Sequence, residues 1–158
     1  MCKRLLVGFL VVCAVTLFSS SVALAADNWL GTWKLNVEKS KFSPGPGPKS
    51  MTLKFEASKD GTRLTSDGVG ADGKPTHGTY TSKWDGKDVP WEGNPDADTS
   101  APKKVDDNTY DNVWKKGGKV TVNAKVVVSK DGKTLTVSQT GKNAKGEAVN
   151  ITRVLDKQ

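Results

Sequence analysis

The most constraining feature of the sequence is the Asp-Gly dipeptide, which recurs at short intervals between stretches of alternating apolar and polar residues. This dipeptide favours the tight type I′ turn of a β-hairpin, because both central residues of that turn need a positive φ angle. The turn signals are Asp-Gly at 60–61, 67–68, 72–73, 85–86 and 131–132, and Gly-Gly at 117–118. The spacing predicts a series of antiparallel hairpins.

The segments between these turns alternate with a period of two, so every second side chain lies on the same face of a strand. In the first segment Trp33, Leu35 and Val37 share a face. In the longest segment the shared face carries Val120, Val122, Ala124, Val126 and Val128. Ten candidate strands lie near 31–37, 50–58, 62–67, 75–84, 87–92, 100–105, 109–115, 119–129, 134–140 and 148–156. Short, evenly spaced strands predict an all-β, antiparallel up-and-down barrel of eight to ten strands, with a β-sandwich as the alternative.

The first 25 residues have the features of a secretory signal peptide. Lys3 and Arg4 give a positive start, residues 5–18 are apolar, and Ala23-Leu24-Ala25 is a small-x-small cleavage site. The apolar run is too short to favour a membrane span. We therefore expect a signal peptide at 1–25, cleaved near Ala25, and a single barrel domain at 26–158 that works in the periplasm or is secreted.

Cysteine and histidine are scarce in this sequence. Cleavage near Ala25 removes both cysteines, Cys2 and Cys13, and with them any disulfide, thiolate nucleophile or thiolate zinc site. The one histidine, His77, excludes a metal site built from several histidines, and we expect its side chain to face solvent. The Gly-x-Ser-x-Gly pattern of a nucleophile elbow is absent from the sequence. We expect no enzyme activity, no cofactor and no metal site.

One acidic segment matches the start of a calcium-binding loop. Asn94, Asp96 and Asp98 have the i, i+2, i+4 spacing of such a loop, but Thr99 stands where the loop needs glycine and Val105 where it needs glutamate. Ordinary turn residues are the favoured interpretation. A weak calcium site completed by other carboxylates is the alternative.

The positive charge does not predict a nucleic-acid partner. The full chain carries a formal charge of +7, and its lysines are spread along the strands among aspartates. Nucleic-acid binding needs a concentrated basic patch with interleaved aromatic residues. A solvated, lysine-rich surface is therefore favoured. Weak contact with an anionic membrane surface is the alternative.

The apolar content is low for a filled core. After cleavage, Leu, Ile, Val and Phe make up about 17% of the chain, below the ~20% at which disorder becomes a concern. Five tryptophans argue against disorder. Polar residues also fall on the predicted inward faces, namely Ser66, Ser82, Asn112 and Gln139. Buried polar groups need partners or water, so these residues predict an interior that is partly open and can accept a ligand.

The opening strand, Gly31-Thr32-Trp33-Lys34-Leu35, resembles that of the calycin superfamily, the lipocalins and fatty-acid-binding proteins. Those families begin with Gly-x-Trp and end with a strand whose arginine packs across that tryptophan. Here Thr152-Arg153-Val154 lies in the last predicted strand. The resemblance implies a barrel closed by pairing of the first and last strands. The opening also resembles that of small secreted bacterial lipocalin-like proteins, a resemblance that implies no chemistry.

The sequence departs from the fatty-acid-binding pattern in two places. Residues 38–50 hold a Pro-Gly run in place of the helix-turn-helix lid, and we expect this run to cross a barrel mouth. Leu155 stands where the terminal Arg-x-Tyr motif of those proteins has the tyrosine that helps to hold a carboxylate. These departures argue against a simple fatty-acid carrier.

Arg153 has two interpretations. The favoured one is a cation–π contact with Trp33 that closes the barrel, and the alternative is a bidentate contact with an anionic ligand. The residues that we expect to line or close the pocket are Trp33, Phe55, Tyr80, Trp84, Trp91, Trp114 and Arg153.

The sequence as a whole predicts an exported, non-catalytic monomer that holds a small apolar or amphipathic molecule inside the barrel. The alternative is a structural or interaction module of the cell envelope, with a filled core and no ligand.

Overall fold

A computed structural model describes residues 28–158 as a single sheet of ten antiparallel strands. The strands are β1 Gly31–Lys41, β2 Ser50–Ser58, β3 Gly61–Val69, β4 Pro75–Ser82, β5 Val89–Pro90, β6 Thr99–Lys104, β7 Thr109–Lys116, β8 Lys119–Val128, β9 Thr134–Lys142 and β10 Ala148–Lys157. The all-β prediction is confirmed. The proposed signal peptide at 1–25 lies outside the described residues. Residues 28–158 contain no helix that is long and apolar enough to cross a membrane.

The strand order is β4-β3-β2-β1-β10-β9-β8-β7-β6-β5. β1 pairs with β10, and Leu35 lies opposite Leu155, so the first and last strands meet as the resemblance implies. The remaining gap lies between β4 and β5. It is bridged where the backbones of Thr79 and Glu92 exchange two hydrogen bonds of 3.0 Å. The sheet therefore forms a nearly closed barrel, and the β-sandwich alternative is wrong.

Because the strands form a meander, their connections alternate between the two ends of the barrel. We call the closed end the one with the β2–β3, β4–β5, β6–β7 and β8–β9 connections. The open end carries the connections at 42–49, 70–74, 91–98, 117–118 and 143–147. The most completely buried apolar side chains gather toward the closed end, among them Trp33, Phe55, Val128, Leu135 and Leu155. The apolar core is therefore concentrated at one end.

An aromatic cluster completes the packing at the closed end. Trp29 and Tyr110 meet edge to face with ring centroids 5.0 Å apart. Trp84 and Tyr110 meet in the same way at 4.3 Å, and Phe55 lies 6.3 Å from Trp84. Edge-to-face contacts of this kind are favourable because of the aromatic quadrupoles. The cluster fills the barrel between Tyr110 and the closed end.

Two valines do not lie on the inward faces that the alternation predicts. Val37 is 48% exposed because the β1–β10 register shifts between Asn36 and Lys41. Val120 is 56% exposed. It lies beyond a second shift, where Trp114 pairs with Val122 but the next residue of β7 pairs with Val120. A β-bulge adds a residue to one strand and so reverses which face the following side chains occupy.

Some predicted turns and strand boundaries also differ. Asp67-Gly68 does not form a turn but lies within β3, where a Cβ atom on Gly68 would come 2.3 Å from the Ser50 carbonyl oxygen. Glycine serves here for close strand approach, not for a turn. The strand predicted at 75–84 ends at Ser82, and Trp84 has a φ of 60°. This left-handed residue turns the chain away from the sheet.

Candidate functional site

A cavity of about 380 Å³ lies between the closed-end core and the open end of the barrel. Its wall nearest the aromatic cluster is mostly apolar, with Leu64, Tyr80, Tyr110, Val126 and Val137. We call this wall the floor. Exposed residues from the open-end connections surround the entrance, among them Pro44, Pro46, Ala71 and Pro95. The geometry is that of a deep pocket that solvent reaches from one end.

Four of the seven predicted site residues line this cavity: Tyr80, Trp91, Trp114 and Arg153. The other three, Trp33, Phe55 and Trp84, do not line it. They belong to the core cluster or pack against it at the closed end. The alternation correctly placed their side chains inside the barrel. Trp33 and Phe55 lie on strands close to the closed end, and Trp84 lies in the β4–β5 connection, so all three lie between the cavity and the closed end.

The polar residues predicted to face inward do so. Ser66, Asn112 and Gln139 line the cavity, whereas Ser82 is buried outside its lining. Asn112 accepts a hydrogen bond from the Ser100 hydroxyl at 2.8 Å. Gln139 accepts one from the Arg153 guanidinium. The interior is therefore mixed in polarity, as the composition predicted.

The predicted contact between Arg153 and Trp33 is wrong. Trp33 lies opposite Lys157 in the β1–β10 ladder, and the Lys157 ammonium lies 4.9 Å from the Trp33 ring centroid. Arg153 is four residues nearer the open end. Its guanidinium lies 6.0 Å from the centroid of Phe42. The cation that covers Trp33 is thus Lys157, and Arg153 is left facing the cavity.

The charge of Arg153 is poorly compensated by the protein. Burial lowers the pKa of Arg153 to about 10, and the nearby Asp96 carboxylate partly opposes this shift. The hydrogen-bond partner of the guanidinium, Gln139, is neutral. A buried charge is normally paired with an opposite charge. Arg153 therefore retains the capacity to bind an anionic or oxygen-rich group.

Three buried side-chain N–H groups within residues 28–158 have no hydrogen-bond partner, and all three belong to residues that line the cavity. They are Nε1 of Trp91, Nε1 of Trp114 and Nε of Arg153. The two indole rings meet edge to face with centroids 4.6 Å apart. Unpaired buried polar groups are rare in folded proteins. Their concentration in one cavity identifies it as the candidate binding site.

Comparisons with known proteins address the fold. No family model matches the sequence, and no curated protein matches it either. Among solved structures, the chain is similar to zebrafish ileal bile acid-binding protein complexed with cholic acid. The TM-score is 0.50 and the identity 12%, over 83% of this chain and 99% of that chain. The fold is that of a calycin barrel. At this identity the likeness shows the fold alone, and it confirms the fold that the Gly-x-Trp opening predicted.

The Pro-Gly run between β1 and β2, which we call the strap (residues 42–49), lies at the entrance of the barrel. Phe42, Pro44, Pro46, Gly47 and Pro48 all contribute to the cavity lining. The Ser43 carbonyl accepts a hydrogen bond of 2.8 Å from the Asn150 amide, which ties the strap to β10. The sequence placed this run over a barrel mouth but did not identify Phe42, the residue that joins it to Arg153.

The remaining candidates from the sequence, His77, Asn94 and Asp96, contribute to the cavity lining at the open end, and each is already held by another contact. His77 is exposed, as predicted, and its Nδ1 lies 2.6 Å from the Asp67 carboxylate. Asn94, Asp96 and Asp98 each accept a hydrogen bond from a different backbone amide, at 2.8–2.9 Å. No group of three or more potential metal-ligating His, Cys, Asp or Glu side chains occurs within residues 28–158. The acidic segment therefore serves to fasten the loop at 91–98 to its neighbours.

Proposed function

We propose that this protein is an exported, non-catalytic binding protein that holds one small amphipathic molecule in the barrel cavity. The observation that carries the proposal is the cavity itself, which combines an apolar floor with three buried N–H donors that lack partners. Its volume of about 380 Å³ is typical of small-molecule sites. An occupant with an apolar body and oxygen acceptors would satisfy both parts of the lining.

The alternative, a ligand-free interaction module, has less support. Such a module would have a filled interior and a continuous apolar patch on its surface. The large exposed apolar side chains of the described residues are Val37, Val105 and Val120. They lie on three separate elements, β1, the β6–β7 connection and β8. Scattered residues of this kind do not form a docking face.

The other parts of the proposal rest on sequence features. Export is inferred from the signal-like segment at 1–25, and the absence of catalysis from the lack of a nucleophile elbow. In the described chain the His77 ring bonds to Asp67 and not to a hydroxyl nucleophile. We propose a monomer with no nucleic-acid partner. Weak contact with anionic membranes remains an outcome that vesicle co-sedimentation would reveal.

The direct test is native mass spectrometry of protein purified from its own cell envelope without detergent. We expect a constant mass adduct that organic solvent removes. N-phenyl-1-naphthylamine, an apolar fluorescent probe, should also bind to the delipidated protein with a stoichiometry of one. A clean apo mass together with no probe binding would contradict the proposal.

Substitution Ala124→Phe should block the cavity. Ala124 is buried, lies on β8 and lines the cavity, so a phenyl ring there would occupy the ligand volume. We expect at least a tenfold loss of N-phenyl-1-naphthylamine affinity, measured by fluorescence titration, with an unchanged β-sheet circular dichroism spectrum. Asn123→Phe is the matched control, because Asn123 is the neighbouring exposed residue. Equal affinity in the Ala124 and Asn123 variants would show that the probe binds elsewhere.

Substitution Gly47→Ala should loosen the strap. A Cβ atom on Gly47 would lie 2.3 Å from the Phe42 ring, so the ring must move from the entrance. We expect stopped-flow release of the bound probe to accelerate several-fold while the folded state persists. Gly45→Ala is the control, because a Cβ atom there meets nothing within 4 Å. Its positive φ of 71° should cost about 1 kcal/mol of stability without changing the release rate.

A further inference from the structure

The three unpartnered donors all approach the cavity from the open end. Trp91 begins the connection at 91–98, which is fastened by a hydrogen bond of 2.8 Å from the Gly117 amide to the Asp98 carboxylate. Trp114 lies three residues before the Gly117-Gly118 turn. The guanidinium of Arg153 lies beside Phe42 of the strap. The polar binding capacity of the cavity is therefore concentrated near its entrance.

The floor of the cavity has the opposite character. Its tyrosine hydroxyls already have partners, because the Tyr80 hydroxyl interacts with the hydroxyls of both Tyr110 and Ser100. Burial raises the pKa of Tyr80 to about 12, so this hydroxyl stays protonated and neutral at pH 7. The ring of Tyr110 packs against Trp29 and Trp84 of the closed-end core. The other floor residues are aliphatic. This wall offers apolar surface and no unpaired donor.

We propose that the ligand binds with an acidic, oxygen-rich head group held near the entrance, between the Trp91 and Trp114 indoles and Arg153, and with its apolar body directed inward to the floor. This inference rests on the proposed function and adds the ligand class and its orientation. All three free groups are donors, so the complementary head carries only acceptors. The positive charge of Arg153 selects an anion, such as a carboxylate or sulfonate, over a neutral carbonyl.

Gly78 keeps one of these donors accessible. It is buried on β4 and lines the cavity, and a Cβ atom there would lie 3.1 Å from Nε1 of Trp91. Any larger residue would place its Cβ atom against this N–H group. Gly78→Ala should therefore weaken head-group binding, with the Trp91 ring displaced by only a few tenths of an ångström.

The test compares two probes that share the same aromatic rings and differ in one charged group. The anionic 1-anilinonaphthalene-8-sulfonate carries a sulfonate, and N-phenyl-1-naphthylamine has the same rings without it. We expect the wild-type protein to bind the sulfonate at least tenfold more tightly. Trp91→Phe and Trp114→Phe should each weaken sulfonate binding about fivefold to tenfold and change the affinity for the neutral probe less than twofold. Gly78→Ala should act in the same direction and serves if either tryptophan variant is poorly folded.

Nuclear magnetic resonance gives an independent readout of orientation. We expect the indole N–H signals of Trp91 and Trp114, assigned with the two phenylalanine variants, to move downfield with the sulfonate but not with the neutral probe. The probe rings should show contacts to methyl groups of Leu64, Val126 and Val137. Trp84→Phe is the control, since Trp84 does not line the cavity.

The outcomes separate the two proposals. If neither probe binds, the binding function itself is wrong. If both probes bind with equal affinity and the indole signals do not move, the cavity binds ligands but water satisfies the donors, and the head-group inference is wrong. Ring contacts to Pro44 and Pro46 instead of the floor methyl groups would overturn the orientation.

Discussion

Trp33→Ala should remove about 3–5 kcal/mol from the free energy of unfolding, which is a large part of the roughly 5–15 kcal/mol that stabilises a domain of this size. Trp33 is 0% exposed and lies on β1 between β2 and β10, opposite Leu53 and Lys157. Its indole N–H donates a buried hydrogen bond of 3.0 Å to the Trp29 carbonyl. Truncation therefore creates a cavity and leaves that carbonyl without its donor.

The measurement is urea unfolding followed by circular dichroism. Val37→Ala is the matched control, because Val37 lies on the same strand but is exposed, and we expect a loss of less than about 0.5 kcal/mol there. Trp33→Phe should fall between the two variants, since it keeps an aromatic ring but loses the N–H donor. An unfolding midpoint of Trp33→Ala equal to that of wild type would contradict this account of the core.

The fold was predictable because alternation and turn chemistry act locally. The ten predicted strands correspond to the ten observed ones, and the Asp-Gly turns at 60–61 and 131–132 connect β2 to β3 and β8 to β9. The bulges were not predictable in this way. No glycine or proline marks the register shift between Asn36 and Lys41, which is stabilised by local contacts such as the Ser40 hydroxyl donating to the Asn36 carbonyl at 2.6 Å. This shift decides that the Val37 side chain faces solvent and not the barrel interior.

The site was predictable only in part. Period-two alternation shows whether a side chain faces inward, but it contains no information about depth along the barrel. The order of the hairpins could have supplied it. Phe55 lies near the β2–β3 turn and Trp114 near the β7–β8 turn, and successive turns of a meander lie at opposite ends of the barrel. Combining facing with hairpin order would have separated Phe55 from the cavity residues.

The partner of Arg153 could not be derived from the sequence, because cross-strand register sets it. The β1–β10 ladder places Trp33 opposite Lys157, so Lys157 and not Arg153 makes the cation–π contact with Trp33. Burial of the Arg153 guanidinium then lowers the free energy of unfolding. A guanidinium whose pKa is lowered to about 10 by burial is less stable in the folded state than in water.

The lowered pKa of Arg153 predicts how the stability of the protein depends on pH. A lowered pKa for a basic group means that folding disfavours the charged form, so the cost to stability is present below pH 10. It diminishes as the pH rises through about 10, the pKa of the folded state. Replacing Arg153 by an apolar residue of similar length should therefore stabilise the ligand-free protein at pH 7. The gain should decrease when unfolding is measured above pH 10.

Arg153→Met should accordingly have two opposite effects. We expect the free energy of unfolding without ligand to rise by about 1–3 kcal/mol, because a buried charge with a neutral partner is replaced by a well-packed apolar chain. We expect the affinity for 1-anilinonaphthalene-8-sulfonate to fall by roughly 10- to 100-fold, because a hydrogen bond to a charged group contributes about 1.5–3 kcal/mol. Urea unfolding and fluorescence titration at pH 7 measure the two quantities on the same sample.

Arg63→Met is the control, because Arg63 is the other arginine of the described chain and is exposed on β3. It should change neither quantity appreciably, although it removes the same charge. A loss of stability in Arg153→Met with unchanged sulfonate affinity would mean that Arg153 holds the barrel together and does not serve the ligand. A gain in stability together with a loss of affinity would show that the fold tolerates a destabilising charge in its cavity, and binding is the function that such a charge would serve.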